Sequence, residues 1–303
     1  MRQIARRTLS WIKSANSVDK PASSSFTRFA LSARPTLWPA IVLSSFAFGH
    51  LVGYGLTQTA MLATDLCLTA SIAFLFNDIT DRRIDIANNI DRWFINSWSD
   101  ILYACGAILA YSVLLVSSVS ILSTTALIWI LLTLILSIIY SLYCKKVLLL
   151  GNLVASTISI SPGLIILIDA YSMHPLLSDS ATVMIAFLSI AFLFLVSREI
   201  KFDEYDIVGD RIGGRVTLPM FVSARFLSVI HGLLVFAALF VLFVLIYEEG
   251  RLQGYGNLVL SISISIITGW LLFRAYRSCS KETFYRTTRL VMLVVPISIF
   301  IGF

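Results

Sequence analysis

Apolar runs of about 20 residues recur along the chain from residue 35 onward, separated by short polar loops. Each run is long enough to cross the hydrocarbon layer of a bilayer. Because lipid offers no partners to backbone N–H and C=O groups, such runs must be helical. Charged residues make up only 13% of the 303 residues, about half of the fraction in a soluble domain. These features predict an all-α, polytopic integral membrane protein.

The apolar pattern predicts a single transmembrane domain over residues 31–303, preceded by an N-terminal arm, residues 1–30. Nine spans are predicted, near residues 35–55, 59–77, 101–119, 124–143, 152–171, 181–198, 224–247, 255–275 and 286–303. Every Lys and Arg except Arg251 lies in the arm or in an even-numbered loop. The positive-inside rule therefore places the N-terminus and the even-numbered loops in the cytoplasm.

The N-terminal arm is rich in Lys and Arg, and its first acidic residue is Asp19. Two interpretations fit this composition: an interfacial helix that lies on anionic lipid, or a transit peptide, which would place the protein in an organelle membrane. The net charge of +6 is explained by the cytoplasmic loops of a membrane protein. We therefore expect membrane lipid, and not nucleic acid, as the partner of these charges.

Two short acidic segments hold nine of the 17 Asp and Glu residues. They comprise Asp78, Asp81, Asp85 and Asp91 in the first segment, and Glu199, Asp203, Glu204, Asp206 and Asp210 in the second. Each segment follows a predicted span on the cytoplasmic side. We therefore expect both segments to lie at the same membrane surface.

The spacing within each segment matters more than the number of acids. If the second span continues as a helix, Asn77, Asp81 and Asp85 recur at i, i+4 and i+8 on one face. Three Asp residues of the second segment recur at i, i+3 and i+7 and also share a face. These are Asp203, Asp206 and Asp210. The two faces are predicted to point their carboxylates into a shared space.

Converging carboxylates repel one another unless cations lie between them. Oxygen ligands favour Mg²⁺, which commonly binds one or two carboxylates together with the phosphate oxygens of a substrate. The segments therefore predict Mg²⁺ ions bound to a diphosphate, with phosphate contacts from nearby basic side chains. The candidates are Arg92, Lys145, Lys146, Arg198 and Lys201. The alternative is that both segments are ordinary solvated loops with surface salt bridges.

The pattern Asn77-Asp78-x-x-Asp81-x-x-x-Asp85 resembles a motif of the UbiA superfamily of intramembrane prenyltransferases. The second acidic segment is also similar to that family, as are several shorter motifs elsewhere. These are Arg34-Pro35, Tyr140-Ser141, Lys145-Lys146, Gly151-Asn152 and Thr217-Leu218-Pro219. The resemblance covers roughly residues 30–303 and implies a nine-helix bundle around a central cavity that opens to lipid.

The resemblance also implies a site with two Mg²⁺ ions that binds and ionises an allylic isoprenyl diphosphate. The implied metal ligands are Asn77, Asp78, Asp81, Asp85, Asp203, Asp206 and Asp210, with Asp78, Asp81, Asp203 and Asp206 as the catalytic carboxylates. An acceptor, usually an aromatic ring, would then attack the allylic cation, which the ring of Tyr140 could stabilise. Two departures are Trp93 where relatives often have proline, and Phe202 where they often have lysine.

Asp65 falls in the middle of the second predicted span, where a carboxylate costs about 2.5–3.5 kcal/mol on insertion scales. It should therefore face a cavity or a hydrogen-bonding partner, and it is either an acceptor contact or a helix-packing residue. Together with Arg34, it favours an acceptor site above the diphosphate. Asp169 is predicted to be solvated at the outer surface.

Three functions remain open. The first is a prenyltransferase with a separate acceptor, which the polar residues favour. The second is a terpene cyclase of the same superfamily, in which the allylic cation closes on its own double bonds. The third is a transporter or lipid-binding membrane protein, for which helices broken near the membrane midplane are the expected signature. The sequence indicates no such break.

Overall fold

Regular structure in the protein is entirely helical over the residues that the computed structural model describes, which are 24–87, 93, 95, 97–173, 178–253, 276 and 281–302. The α-helices in this part are α1 (Ser25–Ser32), α2 (Trp38–Leu51), α3 (Leu56–Ala87), α4 (Trp98–Ser118), α5 (Thr124–Leu142), α6 (Leu150–Ser159), α7 (Ser161–Met173), α8 (Ser178–Ile212), α9 (Ala224–Gln253) and α10 (Lys281–Gly302). Short 3₁₀ turns are Pro35–Leu37, Cys144–Lys146 and Leu218–Met220.

Five helical segments among the described residues are long and apolar enough to cross a membrane. They are Leu56–Arg82, Trp98–Ser118, Thr124–Lys146, Ala181–Ile212 and Ala224–Val241. The bent pair α6 and α7 makes a sixth if it counts as one span. The first predicted span contains α2, which has only 14 residues, and the eighth, residues 255–275, lies outside the described residues. The all-α membrane architecture is confirmed, whereas the count of nine stays a prediction.

A break divides the predicted fifth span, where the sequence indicated a continuous helix. The axes of α6 and α7 differ by 63° at Ile160. Pro162 has no N–H to continue the helix, so the carbonyl one turn earlier loses its partner. A Cβ on Gly163 would come within 2.7 Å of Phe48 and Leu188. The bend is therefore combined with close packing of α7 against α2 and α8.

Asp169 is buried, and the prediction that it is solvated is wrong. The residue is 1% exposed, and its carboxylate accepts hydrogen bonds from the hydroxyls of Tyr54 and Ser123. Burial, together with the hydrogen bond to Asp169 and the charge of its carboxylate, raises the pKa of Tyr54 well above that of free tyrosine. The cluster joins α7 to the α2–α3 loop and to the start of α5.

Trp93 anchors the connection between α3 and α4. The side chain is 1% exposed, and its indole N–H donates to Oδ1 of Asp100 at 3.0 Å. Asp100 also forms the capping box of α4 with Ser97 and accepts a hydrogen bond from Ser25 of α1. A large aromatic side chain thus holds the chain at the position where proline was expected from the resemblance.

Candidate active site

A large cavity lies at the centre of the bundle, with about 2700 Å³ of empty space that includes space open to the outside. Side chains from α2, α3 and α5 to α10 line it, and most of them are apolar. Along α3 the lining runs from Leu66 to Asn77, which corresponds to about 16 Å at the rise of an α-helix. The cavity therefore has a mostly apolar body, and its end near Asn77 adjoins the first acidic segment; we call this the polar end.

The first acidic segment continues α3 as helix and lies at this polar end. Asp78 is fully buried, and the guanidinium of Arg34 lies 3.2 Å from its Oδ1. Asp81 forms ion pairs with both Lys145 and Arg215. Its other oxygen accepts a hydrogen bond from Nδ2 of Asn77 at 3.1 Å. The segment is thus part of an ion-pair network and not a solvated loop.

The second acidic segment continues α8 and meets the first. Nδ2 of Asn152 donates to Oδ2 of Asp203 at 2.8 Å. Nη1 of Arg215 lies 3.3 Å from Oδ1 of Asp210, while Nη2 of the same side chain lies 2.5 Å from Oδ1 of Asp81. A single guanidinium therefore contacts both segments, as expected if they share one space.

The turn after α8 positions Arg215. Gly214 has a left-handed φ of 68°, which glycine adopts without steric cost. A Cβ on Gly213 would come within 2.3 Å of the Ile84 side chain, so the absence of a side chain at Gly213 lets the turn pack closely on α3. The backbone N–H of Arg215 donates to the carbonyl of Asp210 at 2.8 Å, and the side chain points back to the acidic segments.

A second close approach positions Lys145 and Asn152. A Cβ on Gly151 would lie 2.9 Å from Cα of Lys145, so the absence of a side chain lets the Cys144–Lys146 turn pack against the start of α6. Lys145 is 8% exposed and reaches Asp81 and Thr80 from this turn. The two motifs Lys145-Lys146 and Gly151-Asn152 therefore serve the same site through one backbone contact.

Two opposing effects act on the pKa of the Arg215 guanidinium. Burial alone would lower the pKa of its guanidinium, but the carboxylates of Asp81 and Asp210 raise it above the ordinary value for arginine. The repulsion that was expected between converging carboxylates is therefore relieved by basic side chains, Lys145 and Arg215. In the described part of the chain, no group of three His, Cys, Asp or Glu residues is arranged to hold a metal ion.

Two residues predicted at the site point elsewhere. Asp206 is expected on the face of Asp203 and Asp210, but it pairs at 2.5 Å with Lys281 of α10, and its side chain is 30% exposed. Lys201 is predicted to contact phosphate, but it pairs with Glu204 at 2.6 Å. Each residue of an α-helix rotates about 100° from the one before, so residues three or four apart are offset by about 40–60° around the axis and share a face only partly.

Asp65 does not line the central cavity. It is fully buried and lies beside Ser118 and Tyr111 of α4. The structure therefore places it between α3 and α4, as a helix-packing residue would be, and the interpretation as an acceptor contact is not supported by its position.

The remaining predicted residues fall into three groups. Tyr140 and Arg198 line the cavity, and Arg198 pairs with Glu199 at 2.5 Å. Asp85 lies one turn beyond Asp81 in α3, and Lys146 is exposed. Arg92 lies outside the described residues. Phe202, which stands where relatives often have lysine, lines the cavity, and its ring meets that of Phe284 at 5.5 Å.

Three residues with clear positions in the site were given no role there from the sequence, although Asn152 belongs to one of the shorter family-like motifs. Arg215 and Asn152 contact the acidic segments directly, and Arg289 of α10 lines the cavity. Arg215 lies in a glycine-marked connection beside the second segment, which is a signal that could have identified it. Arg289 had no such signal, because only the packing of α10 against α2 brings it to the cavity.

The profile of the UbiA prenyltransferase family matches residues 35–294, which is most of the chain and includes both acidic segments. The chain therefore belongs to the UbiA prenyltransferase family. It is an integral membrane protein of the prenyltransferase kind. No curated protein sequence matches the chain significantly.

Three solved structures share the fold. A UbiA homologue from Archaeoglobus fulgidus bound to GPP and Mg²⁺ has a TM-score of 0.62 at 13% identity, with 92% of this chain and 99% of that chain covered. A UbiA homologue from Aeropyrum pernix K1, without ligand, has a TM-score of 0.61 at 17% identity, covering 87% and 96%. A digeranylgeranylglyceryl phosphate synthase has a TM-score of 0.60 at 16% identity, covering 92% and 98%.

Proposed function

We propose that this protein is a Mg²⁺-dependent prenyltransferase that ionises an allylic isoprenyl diphosphate and transfers the prenyl group to an acceptor, which the resemblance implies is aromatic. The observation that carries the proposal is that Arg215 contacts Asp81 and Asp210. This contact places two acidic segments together at the polar end of a large apolar cavity. The homologue bound to GPP and Mg²⁺ has the same fold and supports this class of substrate and cofactor.

The residues at the polar end fit a magnesium–diphosphate complex. Oδ2 of Asp210 is buried without a hydrogen-bond partner in the described part of the chain, so it is available as an oxygen ligand. Mg²⁺ usually takes only one or two carboxylates and completes its shell with phosphate oxygens and water. Separate carboxylates on α3 and α8 therefore suit it better than a closed protein cage. We propose that Asp78, Asp81, Asp203 and Asp210 hold the ions.

Asn77 and Asp85 complete the proposed ligand set on α3, as the resemblance implies, whereas Asp206 would have to leave Lys281 to join it. When bound, Mg²⁺ supplies positive charge to the diphosphate oxygens as the C1–O bond breaks. Lys145, Arg215 and Asn152 carry N–H donors at the same place and would bind these oxygens in exchange for their present carboxylate partners.

The reaction divides between the two parts of the cavity. At the polar end, the C1–O bond breaks and its electron pair leaves with diphosphate. In the apolar body, the tail is excluded from water, and the ring of Tyr140 lies where the cavity meets the acidic segments and can stabilise positive charge. A nucleophilic atom of the acceptor then bonds to C1 and gives up a proton, which balances the transfer.

The apolar and aromatic lining also suits a terpene cyclase, which needs the same ionising site but no acceptor. Arg34 and Arg289 favour a transferase, since both line the cavity and a hydrocarbon cation gains nothing from them. Broken helices, such as the pair α6–α7, occur in many transporters. The converging carboxylates nevertheless favour an enzyme that acts on a diphosphate over a transporter.

One assay tests the proposal. The purified protein, in lipid nanodiscs with Mg²⁺, is incubated with allylic diphosphates of increasing length, with and without phenolic acceptors. We expect diphosphate release and a prenylated product only when an acceptor is present. A cyclic hydrocarbon formed without acceptor would establish the cyclase instead, and no diphosphate release from any allylic substrate would exclude both.

A further inference from the structure

Three arginine side chains among the described residues line the central cavity, and they differ in how their charge is balanced. Arg34 pairs with Asp78 at 3.2 Å, and Arg198 pairs with Glu199 at 2.5 Å. Arg289 of α10 has no carboxylate within ion-pair distance among residues 24–85, 97–173, 181–241 and 281–293. It is the cavity arginine whose charge the described side chains leave unbalanced.

Neighbouring groups hold the guanidinium of Arg289 in place without neutralising it. The guanidinium lies 3.9 Å from the centre of the Tyr285 ring. Its Nη2 donates to the hydroxyl of Tyr285 and to Oγ1 of Thr36 at 3.0 Å. The Nε–H is buried and has no partner in this part of the chain. Arginine stays protonated in proteins, so this cavity-lining residue carries a fixed positive charge and one N–H donor without a partner.

The position of Arg289 relates it to the proposed reaction. Thr36 belongs to the Pro35–Leu37 turn, two residues after Arg34, which contacts Asp78 of the first acidic segment. Arg34 itself has a left-handed backbone, with φ 50° and ψ 53°, a sparsely populated conformation for a non-glycine residue that is often found at functional sites. An anion bound at Arg289 would therefore lie close to the diphosphate site but on a different wall, formed by α2 and α10.

We propose that Arg289, together with the hydroxyl of Thr36, binds a carboxylate or phosphate group of the prenyl acceptor. The spare Nε–H can donate to one oxygen of such an anion, and the Nη2–H that now donates to the Tyr285 hydroxyl would donate to the second, which completes the planar fork of the guanidinium. The Thr36 hydroxyl accepts from Arg289, so its own proton is free to donate to the same anion. This inference rests on the proposed transferase function and identifies the acceptor as an acidic molecule.

Direct binding tests the site without catalysis. Metal-free protein in nanodiscs is titrated calorimetrically with a phenolic carboxylic acid, with a phenyl or glyceryl phosphate, and with the neutral methyl ester of the acid. We expect one acid class to bind and its neutral ester to bind about 10- to 100-fold more weakly, as for loss of a charge-assisted contact. Comparison of the two dissociation constants shows whether the acidic group of the acceptor is a carboxylate or a phosphate.

Variants assign the binding to Arg289. Arg289→Gln should weaken the acid about tenfold or more, with little change for the ester, while Arg289→Lys should lose less because it keeps the charge. Arg286→Gln is the matched control, because Arg286 lies one turn earlier on α10 and is 77% exposed. Thr36→Val removes one contact without touching α10, so it tests the site even if Arg289→Gln fails to fold.

In the transfer assay, Arg289→Gln should raise KM for the acidic acceptor and leave KM for the prenyl diphosphate within about twofold. The inference is overturned if no acid binds the wild-type protein, if acid and ester weaken equally, or if KM for the diphosphate rises instead. A cyclic product without acceptor would refute the transferase, whereas the binding experiment would still report on Arg289 by itself.

Discussion

Asp81 and Arg215 form an ion pair although 134 positions separate them in the sequence. Arg215 also contacts Asp210, so its side chain lies between the ends of α3 and α8. In the absence of a divalent ion, this contact balances the carboxylates that would otherwise repel one another. A bound magnesium–diphosphate complex would offer Arg215 phosphate oxygens in place of the carboxylates, and the metal would then balance the carboxylate charge that Arg215 balances here.

Arg215→Met should therefore destabilise the metal-free protein. Removing one partner of a buried ion pair leaves charge uncompensated and costs about 3–5 kcal/mol. We expect the melting temperature in EDTA to fall by several degrees and to recover largely in saturating Mg²⁺. Thermal unfolding in nanodiscs measures this, with Arg211→Met, which changes an exposed arginine at the end of α8, as the control. An equal loss of stability with and without Mg²⁺ would show that Mg²⁺ does not replace Arg215 in balancing the carboxylates.

Asp203 and Asp206 should differ in their effect on activity. Asp203 lies beside Asn152 in the site, and Asp203→Asn should lower kcat/KM by about 100-fold or more, since metal-bound charge contributes several kcal/mol to the transition state. Asp206 forms an ion pair with Lys281 that is partly exposed, and such pairs contribute about 0–1 kcal/mol. Asp206→Asn should therefore cost less than about tenfold, and equal losses would show that Asp206 also binds metal.

Gly151→Ala should impair diphosphate binding through the backbone. The new methyl group would lie 2.9 Å from Cα of Lys145, so the Cys144–Lys146 turn must move and Lys145 must shift from Asp81. We expect KM for the prenyl diphosphate to rise about tenfold, as for loss of one charge-assisted hydrogen bond. Gly106→Ala is the control, because its methyl group meets no atom within 4 Å. If KM for the prenyl diphosphate changes equally in both variants, the Cys144–Lys146 turn does not position Lys145.

Tyr54→Phe should lower stability without affecting KM. The substitution leaves an oxygen of the buried Asp169 without its donor, which costs about 1–3 kcal/mol. Tyr171→Phe, at a site that is 58% exposed, should be neutral. Because the pKa of Tyr54 is raised, its stabilising effect is constant below pH ~10, the pKa of unfolded tyrosine, and decreases as the pH rises above it. The difference in the free energy of unfolding between wild type and Tyr54→Phe should therefore stay constant from pH 6 to pH 9. A change in that difference over this range would contradict the assignment.

Apolar run length and Asp spacing predicted the helical membrane architecture and the two acidic segments that meet. The same spacing could not assign each carboxylate to its partner, because a helix face is about 100° wide and its rotation is set by packing. Asp206 and Asp65 show this: Asp206 meets Lys281, although its spacing put it on the face of Asp203 and Asp210, and Asp65 meets α4 and not the cavity.

Long-range partners were the least predictable part of the site. Arg215 and Arg289 reach it only because a glycine turn packs on Ile84 and because α10 packs against α2. The break at Ile160, in contrast, has a local signal in Pro162, which lies two residues later. Asp169 was misplaced because its partners, Tyr54 and Ser123, belong to two other elements.

Several side chains at the inner part of the cavity also belong to the main hydrophobic core. Phe48, Leu66, Phe187 and Leu188 line the cavity and are at most 7% exposed. If the tail occupies this space, the residues that limit its length are the ones that hold α2, α3 and α8 together. Variants with smaller side chains here would accept longer tails only with a loss of thermal stability, so selectivity for chain length and robustness of the fold cannot be changed independently.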